Sequence, residues 1–368
     1  MFRKTKKFVT SHMRLSLARI AISLVALSCA NARGEEAPPL QFASLGVCKL
    51  ESGQAIEDCK LGYRTLGSLN ARRDNVVLVP TYFSGKSQDL VAIIQSGLID
   101  THQFFVIVMD AFGYGVSSSP SNSQSQPRLQ CPQFTIADMV NAQHRMMADV
   151  LHISHWHAVL GLSMGGMQAF QWAVSYPMFA DCIVPVVGSP RLTSVDLLLW
   201  TGEANAITES AGWNRGKYQG RPEMRALSDI HYLALTTPAY RIEHTQRSAF
   251  AEFLANTEST ATNGMDPTDW LYQLRAMMAH DLAKPFAGDM GKAAGVVKSK
   301  ILIVVATEDH MVNPEPSIEF AHLLKVQPML LEGSCGHMAP MCHDTELFAE
   351  IAAFLEPSLS ETPEGMSP

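Results

Sequence analysis

The sequence predicts an α/β fold in which a mostly parallel sheet is flanked by helices and carries a helical lid insertion. Short, continuously apolar runs alternate with helical patterns, which is typical of parallel strands covered on both faces. One run leads directly into a serine between glycines, and a long helical stretch separates the early runs from the late ones. With 368 residues, 47% hydrophobic and 17% charged, the chain can bury a large core.

Residues 1–32 have the pattern of a secretory signal peptide. Six basic residues and no acidic ones flank or precede the apolar run at residues 20–27, and an Ala-Asn-Ala tripeptide ends at residue 32. The apolar run is too short to span a bilayer. We therefore expect an exported protein, periplasmic or secreted, with its mature N-terminus at Arg33 and no stable membrane insertion after cleavage. A retained N-terminal anchor is the alternative.

The charge balance and the motifs argue against several kinds of partner. The chain has 35 acidic and 28 basic residues, and signal cleavage removes six of the basic ones. An acidic surface repels nucleic acid and anionic membranes. The segment FGYGVSS lacks the third glycine of a dinucleotide site, and the histidines of HISHWH, at residues 152–157, would not converge on a metal. We expect no nucleic-acid partner, no cofactor and no metal; a homodimer is left open.

Six cysteines follow residue 32, and an oxidising compartment permits disulfides. Cys48 and Cys59 lie symmetrically about a Gly-Gln pair, a hairpin pattern that places them opposite each other on two strands. Cys335 and Cys342 flank a histidine. Their simplest interpretation is as unpaired, buried small hydrophobic residues.

Residues 41–190 and 296–356 are expected to form the α/β core. After the hairpin, a helix begins near Thr135, where Asp138 completes a capping-box pattern, and another helix follows Ser163 and ends before Pro177. Six apolar runs predict buried strands: Val76 to Val79, Phe104 to Met109, Trp156 to Leu160, Ile183 to Val187, Ile301 to Val305 and Met329 to Leu331.

Residues 191–295 are predicted to form a helical lid. They are rich in Trp, Met and Leu and contain no apolar run comparable to those outside. An insertion between two strands would cover the carboxyl ends of the strands, where open α/β sheets bind ligands. A second independent domain is the alternative. Residues 117–127, SSSPSNSQSQP, are expected to be a long polar loop, and residues 357–368 a C-terminal tail.

Ser163 is the candidate nucleophile. In GLSMGGMQAFQWA it lies between Gly161 and Gly165, at the point where a predicted strand turns sharply into a helix. Such a turn projects the serine hydroxyl outward, and it needs glycines because side chains there would collide with neighbouring backbone. A neutral hydroxyl is a weak nucleophile, so Ser163 needs a base and an acid that orients the base.

Candidate partners for this serine follow the last two predicted strands. In the hydrolase order of serine, acid and histidine, ATEDHMVNP offers Asp309, with Glu308 as the alternative, and EGSCGHMAP offers His337. These residues predict a Ser163–Asp309–His337 catalytic triad.

An acyl-transfer site also needs hydrogen-bond donors for the tetrahedral oxyanion. The backbone amide of Met164, directly after the nucleophile, is one candidate. The second should come from the loop PTYFSGKS after the first central strand, where we choose the amide of Phe83, with Tyr82 as the neighbouring alternative.

Several segments resemble the homoserine O-acetyltransferase family of α/β-hydrolases, above all GLSMGGMQAFQWAVSYP, together with KLGYRTLGSLNARRDNVVLVPTYFSG, TIADMVNAQHRMM and ATEDHMVNP. The resemblance extends over residues 41–356. It implies an α/β-hydrolase fold with a helical lid, and Ser163 as the acyl-accepting nucleophile. It also implies that Asp309 and His337 form its relay and that the Phe83 and Met164 amides form the oxyanion hole.

Two departures from this family concern the acceptor. The family usually carries His-Asp, whose aspartate helps to hold the amino group of homoserine, but this chain has His337-Met338; GYGVSSSPSN also replaces a Gly-Cys-x-Gly-Ser-Thr-Gly-Pro loop. A methionine cannot pair with an ammonium. We therefore expect an exported serine hydrolase that cleaves carboxylic esters. The alternatives are an O-acyltransferase with an alcohol acceptor and a non-catalytic binding protein on the same fold.

Overall fold

The computed structural model describes residues 37–356, so the predicted signal peptide and C-terminal tail lie outside the described residues. No helix within residues 37–356 is long and apolar enough to cross a membrane. The strands of this part of the chain are β1 (Gln41–Lys49), β2 (Ala55–Leu66), β3 (Val76–Pro80), β4 (Phe105–Met109), β5 (Trp156–Leu162), β6 (Ala180–Val186), β7 (Lys300–Ile301), β8 (Val304–Ala306) and β9 (Met329–Leu331).

From β3 onward, α-helices of the same residues lie between most of the strands, with a long run of them between β6 and β7. They are α1 (Ser87–Ile93), α2 (Ile136–Arg145), α3 (Met164–Ser175), α4 (Ser194–Thr208), α5 (Arg225–Leu235), α6 (Pro238–His244), α7 (Phe250–Asn263), α8 (Pro267–Met278), α9 (Met290–Val296), α10 (Glu315–Leu324), α11 (Ala339–Cys342) and α12 (Asp344–Leu355).

The strands form one mostly parallel sheet, as predicted. Their order is β1-β2-β4-β3-β5-β6-β8-β9, with β7 paired to β6. The β1–β2 hairpin is antiparallel and β2 pairs antiparallel with β4, whereas the pairs from β4 to β9 are parallel. From β3 the chain continues to β4 on one side, and it then crosses to β5 on the other side and continues to β6, β8 and β9. The direction of strand addition therefore reverses between β3 and β5. Open α/β sheets bind ligands at such a reversal.

The local predictions are largely confirmed. Helix α2 begins after Thr135, whose hydroxyl accepts from the Asp138 amide at 3.1 Å while the Asp138 carboxylate accepts from the Thr135 amide at 2.9 Å. The predicted strand from residue 301 to 305 is instead divided into β7 and β8. Between them the Leu302 amide still donates to the Ile183 carbonyl at 3.0 Å, so the pairing is irregular rather than absent.

Two disulfides connect four of the cysteines. Cys48 and Cys59 are bonded across the hairpin with their Cα atoms 5.7 Å apart, which confirms the predicted pairing. Cys335 and Cys342 are also bonded, so the interpretation of these two as unpaired thiols is wrong. A single helical turn, Gly336–Met338, followed directly by α11, brings the two residues together.

The loop at residues 117–127 is more than a solvated polar connection. The Ser117 and Ser118 hydroxyls are buried and accept from the Gly62 and Lys60 amides, both at 2.9 Å, along β2. Its polar side chains therefore satisfy backbone groups of the neighbouring strand, a role that its composition alone does not indicate.

The segment between β6 and β7 is helical among the described residues, and α8 connects it to loops that follow the sheet strands. Tyr272 donates its hydroxyl to the Cys131 carbonyl at 2.7 Å, and Gln273 donates to the Phe112 carbonyl at 2.7 Å. The side-chain oxygen Oε1 of Gln273 accepts from the Ser84 amide at 3.1 Å. Helix α8 thereby fixes the loop after β3, which is next to the site described below.

Candidate active site

Ser163 occupies a tight turn between β5 and α3. Its backbone has φ 54° and ψ −118°, a left-handed conformation that non-glycine residues rarely adopt. A Cβ atom on Gly161 would lie 2.0 Å from the Gly165 carbonyl oxygen, and one on Gly165 would lie 2.6 Å from the Pro80 carbonyl oxygen. These two glycines let the helix start so close to the strand ends. The strained serine is held at the tip of the turn, as in many functional sites.

The structure brings Ser163, His337 and Asp309 together in one hydrogen-bonded chain. His337 Nε2 lies 2.8 Å from Ser163 Oγ, and His337 Nδ1 lies 2.6 Å from Asp309 Oδ2. An ionised carboxylate only accepts hydrogen bonds, so Nδ1 carries the proton and Nε2 is free to accept from the serine hydroxyl. Asp309 and His337 are both buried, which strengthens these bonds.

Asp309 is the acid that reaches the histidine, and the alternative Glu308 is exposed. The second carboxylate oxygen of Asp309 accepts from the backbone amides of Met311 at 2.8 Å and Val312 at 2.9 Å. Because these amides fix the carboxylate, Asp309 can fix the orientation of the imidazole in turn.

His337 lies inside the short loop that the Cys335–Cys342 disulfide closes. The lid supports this loop from the other side: the Thr237 hydroxyl donates to the Ser334 carbonyl at 2.6 Å. Gly336 has φ 61°, and a Cβ atom there would lie 3.1 Å from Thr236 Cα. The loop is therefore held by a covalent bond and by contacts with the lid.

The two candidate oxyanion donors lie near Ser163, Met164 as the next residue in the chain and Phe83 as a neighbour in the cavity. The Met164 amide opens α3, and the first amides of a helix have no partner in the preceding turn. Phe83 lies in the loop after β3 and shares a cavity with Ser163. The two following amides are engaged elsewhere, since Ser84 donates to Gln273 and Gly85 to the Tyr82 carbonyl. These bonds fix the loop next to Phe83.

A small cavity of about 220 Å³ opens at the serine. Its walls are apolar except for the serine and one glutamate–histidine pair. Its lining residues are Phe83, Ser163, Trp200, Glu203, His231, Leu274, Met277 and Met311. Glu203 and His231 were not predicted, because polar residues on lid helices usually face solvent and no motif marks these two.

Known proteins of similar sequence are α/β-hydrolases. The family profile described as the alpha/beta hydrolase fold matches residues 75–344, which is most of the chain. The chain belongs to this family. The matches also include homoserine O-acetyltransferases, so the resemblance found in the sequence is confirmed.

The relatives of this α/β-hydrolase include enzymes of two kinds. The chain is 26% identical over 344 residues to the ethyl acetate hydrolase of Pseudomonas veronii, with 88% of this chain and 96% of that one covered. It is 28% identical over 361 residues to the homoserine O-acetyltransferase of Mesorhizobium japonicum, with 86% and 92% covered. An acetylester hydrolase structure from Corynebacterium glutamicum matches with a TM-score of 0.79 at 26% identity, over 87% of this chain and 96% of that one. The protein is therefore an enzyme of the α/β-hydrolase type.

A buried carboxyl connects the lid of this α/β-hydrolase to the 117–127 loop. Asp269 on α8 is buried, and burial raises the pKa of its carboxyl to about 7. Its carboxylate accepts from the backbone amide of Ser121 at 2.9 Å, which connects the lid to the 117–127 loop.

Within the described residues, no group of three or more His, Cys, Asp or Glu side chains could hold a metal ion.

Proposed function

We propose that this enzyme hydrolyses small carboxylic esters through an acyl-enzyme on Ser163. The observation that carries the proposal is the continuous hydrogen-bonded chain from Ser163 through His337 to Asp309. An activated serine with a base and an orienting acid is the arrangement that acyl transfer requires.

The reaction follows from these positions. His337 Nε2 takes the proton of Ser163 Oγ as the oxygen attacks the ester carbonyl carbon, and Asp309 stabilises the imidazolium that forms. The amides of Phe83 and Met164 donate to the tetrahedral oxyanion. His337 then gives its proton to the leaving alcohol oxygen as the C–O bond breaks. A water molecule repeats the sequence on the acyl-enzyme and releases the acid and free serine.

The cavity supports a small substrate. Large side chains, among them Phe83, Trp200 and Met277, line the cavity next to Ser163 and leave little room for a substrate. The mostly apolar walls of the cavity suit a short acyl chain. Two relatives, an ethyl acetate hydrolase and an acetylester hydrolase, are named for small esters, which agrees with this substrate size.

An O-acyltransferase is the second candidate, because the homoserine O-acetyltransferase of Mesorhizobium japonicum resembles this chain over most of its length. The two activities would use the same triad and would differ in what reaches the acyl-enzyme. We favour water over homoserine because Met338 occupies the place of the family's aspartate. Burying an unpaired ammonium costs several kcal/mol.

The decisive experiment is a product analysis. Purified protein lacking residues 1–32 is incubated with ethyl acetate, with and without millimolar homoserine, and acetate and O-acetylhomoserine are quantified. We expect one acetate per ester cleaved, with no effect of homoserine on the rate. Efficient formation of O-acetylhomoserine would show that the transferase is the better assignment. The Ser163→Ala variant, prepared in the same way, is the control for contaminating esterases.

We also propose that the enzyme is exported. The basic N-terminal segment with its apolar run and Ala-Asn-Ala sequence supports this, and so do the two disulfides, because disulfides persist in oxidising compartments. Cell fractionation with N-terminal sequencing tests it. We expect the periplasmic or secreted fraction to contain a chain that begins at Arg33. A chain that begins at Met1 would contradict signal cleavage.

A further inference from the structure

The cavity contains a second histidine–carboxylate pair besides the one at Ser163. His231 on α5 places Nδ1 3.1 Å from Glu203 Oε1 on α4. The other carboxylate oxygen of Glu203 accepts from the indole N–H of Trp270 on α8 at 3.3 Å. Glu203 is only 1% exposed, and both members of the pair line the cavity together with Ser163.

Stability of the fold alone does not explain this pair. A carboxylate buried among apolar side chains loses its hydration, and its partners restore that loss only in part. Apolar residues of similar volume at the same positions are often as stable or more stable. The other cavity walls are apolar side chains of that kind, among them Trp200, Leu274 and Met277. The presence of the Glu203–His231 pair in an otherwise apolar cavity therefore indicates a role in binding.

The hydrogen bonds define what the pair can recognise. The Glu203 carboxylate already accepts from two donors, so the proton on His231 Nδ1 points toward Glu203. In a neutral ring with this tautomer His231 Nε2 is an acceptor, and the hydrogen bonds of residues 37–356 include none to it. An acceptor at the edge of a small cavity is complementary to a hydrogen-bond donor of the substrate.

We infer that Glu203 and His231 form a polar subsite in which His231 Nε2 accepts a hydrogen bond from a hydroxyl group on the ester. The preferred substrates are then small esters that carry a free hydroxyl, on either the alcohol or the acyl part. His231 is the specificity residue and Glu203 is the positioning residue that holds its tautomer. The inference rests on the proposed ester hydrolysis.

The test uses substrate pairs in which a hydroxyl replaces a methyl group. The first pair is 2-hydroxyethyl acetate and propyl acetate, and the second is ethyl glycolate and ethyl propanoate. For each pair the ratio of kcat/KM values is measured in the wild type and in three variants: His231→Phe, His231→Gln and His155→Phe. Comparing ratios between variants cancels the different intrinsic reactivities of the esters.

We expect His231→Phe to lower the hydroxyl-to-methyl ratio about tenfold for at least one pair, the size of effect that one lost hydrogen bond produces. Hydrolysis of the methyl-bearing ester should change little. His231→Gln should keep part of the preference, because an amide can donate to Glu203 and still present an oxygen. His155→Phe is the matched control, since His155 pairs with Asp181 at 3.0 Å on the exposed surface.

Unchanged ratios in His231→Phe for both pairs would overturn the inference. Acyl transfer to homoserine that Glu203→Gln abolishes would overturn it too, because the pair would then be an ammonium site. The proposed function fails separately: in that case the wild type hydrolyses none of the four esters. Circular dichroism melting confirms that each variant is folded.

Discussion

The two walls of the cavity at Ser163 are built in different ways. One wall consists of loops at the carboxyl ends of β3, β5 and β8, with His337 from the loop after β9 bonded to Ser163, and backbone amides fix the carboxylate of Asp309. The other wall consists of lid helices, whose Glu203 and His231 depend on each other and on Trp270. In the proposed mechanism the strand loops supply the chemistry and the lid supplies recognition, so the difference teaches that the reaction and its selectivity can be tested separately.

The largest effect should come from the strand wall. We expect Ser163→Ala and His337→Ala each to lower kcat for ethyl acetate by roughly 10⁴-fold or more, because the nucleophile and its base act as one unit. Assays followed over long times measure the fall in kcat, and thermal melting checks that each variant is folded. Near-normal ester cleavage by either variant would break the distinction between the two walls, because chemistry would then not depend on the strand loops.

The second-largest fall in kcat should come from replacing Asp309, the acid of the proposed triad. Asp309→Asn keeps the shape of the acid but favours the wrong imidazole tautomer, so we expect kcat to fall by roughly 10³- to 10⁴-fold. Glu308→Gln, one residue away and exposed, is the matched control and should leave kcat unchanged. If Glu308→Gln proved the more damaging variant, the acid of the triad would have been assigned wrongly.

The two disulfides allow a sharper comparison. Replacing either pair with serines should lower the free energy of unfolding by about 2–3 kcal/mol, as expected for closing loops of this length. Only Cys335→Ser/Cys342→Ser should also lower kcat, by about tenfold, because that loop holds His337. The Cys48→Ser/Cys59→Ser variant, whose bridge lies in the β1–β2 hairpin, is the control. Equal kcat in both variants would mean that other contacts suffice to hold the histidine.

The smallest effect concerns the lid and pH. The pKa of Asp269 in the folded protein is about 7, above the value near 4 of an unfolded chain. Between these values the folded protein holds a proton that the unfolded chain has released, so this group's contribution to stability is complete below about pH 4 and is lost as pH rises to about 7.

Asp269→Asn cannot ionise, so its free energy of unfolding should rise relative to the wild type, on the order of 2 kcal/mol, between about pH 5 and pH 8. Urea unfolding at several pH values measures the difference. Parallel pH dependences of the two proteins would show that Asp269 ionises normally. The triad contacts do not involve this residue, so kcat at a fixed pH should change little.

The strand wall could be predicted from the sequence because its positions follow from the backbone. Ser163 needs glycines on both sides, and the loops with Asp309 and His337 follow short apolar runs whose length favours strands. The lid wall gives no such signal. Glu203 and His231 are joined by tertiary packing of α4 against α5, which neither periodicity nor a motif specifies.

The second disulfide and the 117–127 loop show the same limit. Cys335 and Cys342 are seven residues apart without a strand pattern between them, and their pairing depends on one helical turn. The composition of the polar loop is typical of solvated residues, yet the Ser117 and Ser118 hydroxyls accept hydrogen bonds from backbone amides of β2. Local patterns indicate elements, but they do not indicate which polar groups a loop must satisfy.

The most direct test of the central claim is to trap the acyl-enzyme. The wild type is mixed with 4-nitrophenyl acetate, quenched in acid during turnover, and digested for peptide mass spectrometry. We predict one acetyl group on the peptide that contains Ser163, located on that serine, which disappears once the substrate is exhausted because water releases acetate. An unmodified Ser163 during turnover, or acetylation of another residue that accounts for the reaction, would contradict the account.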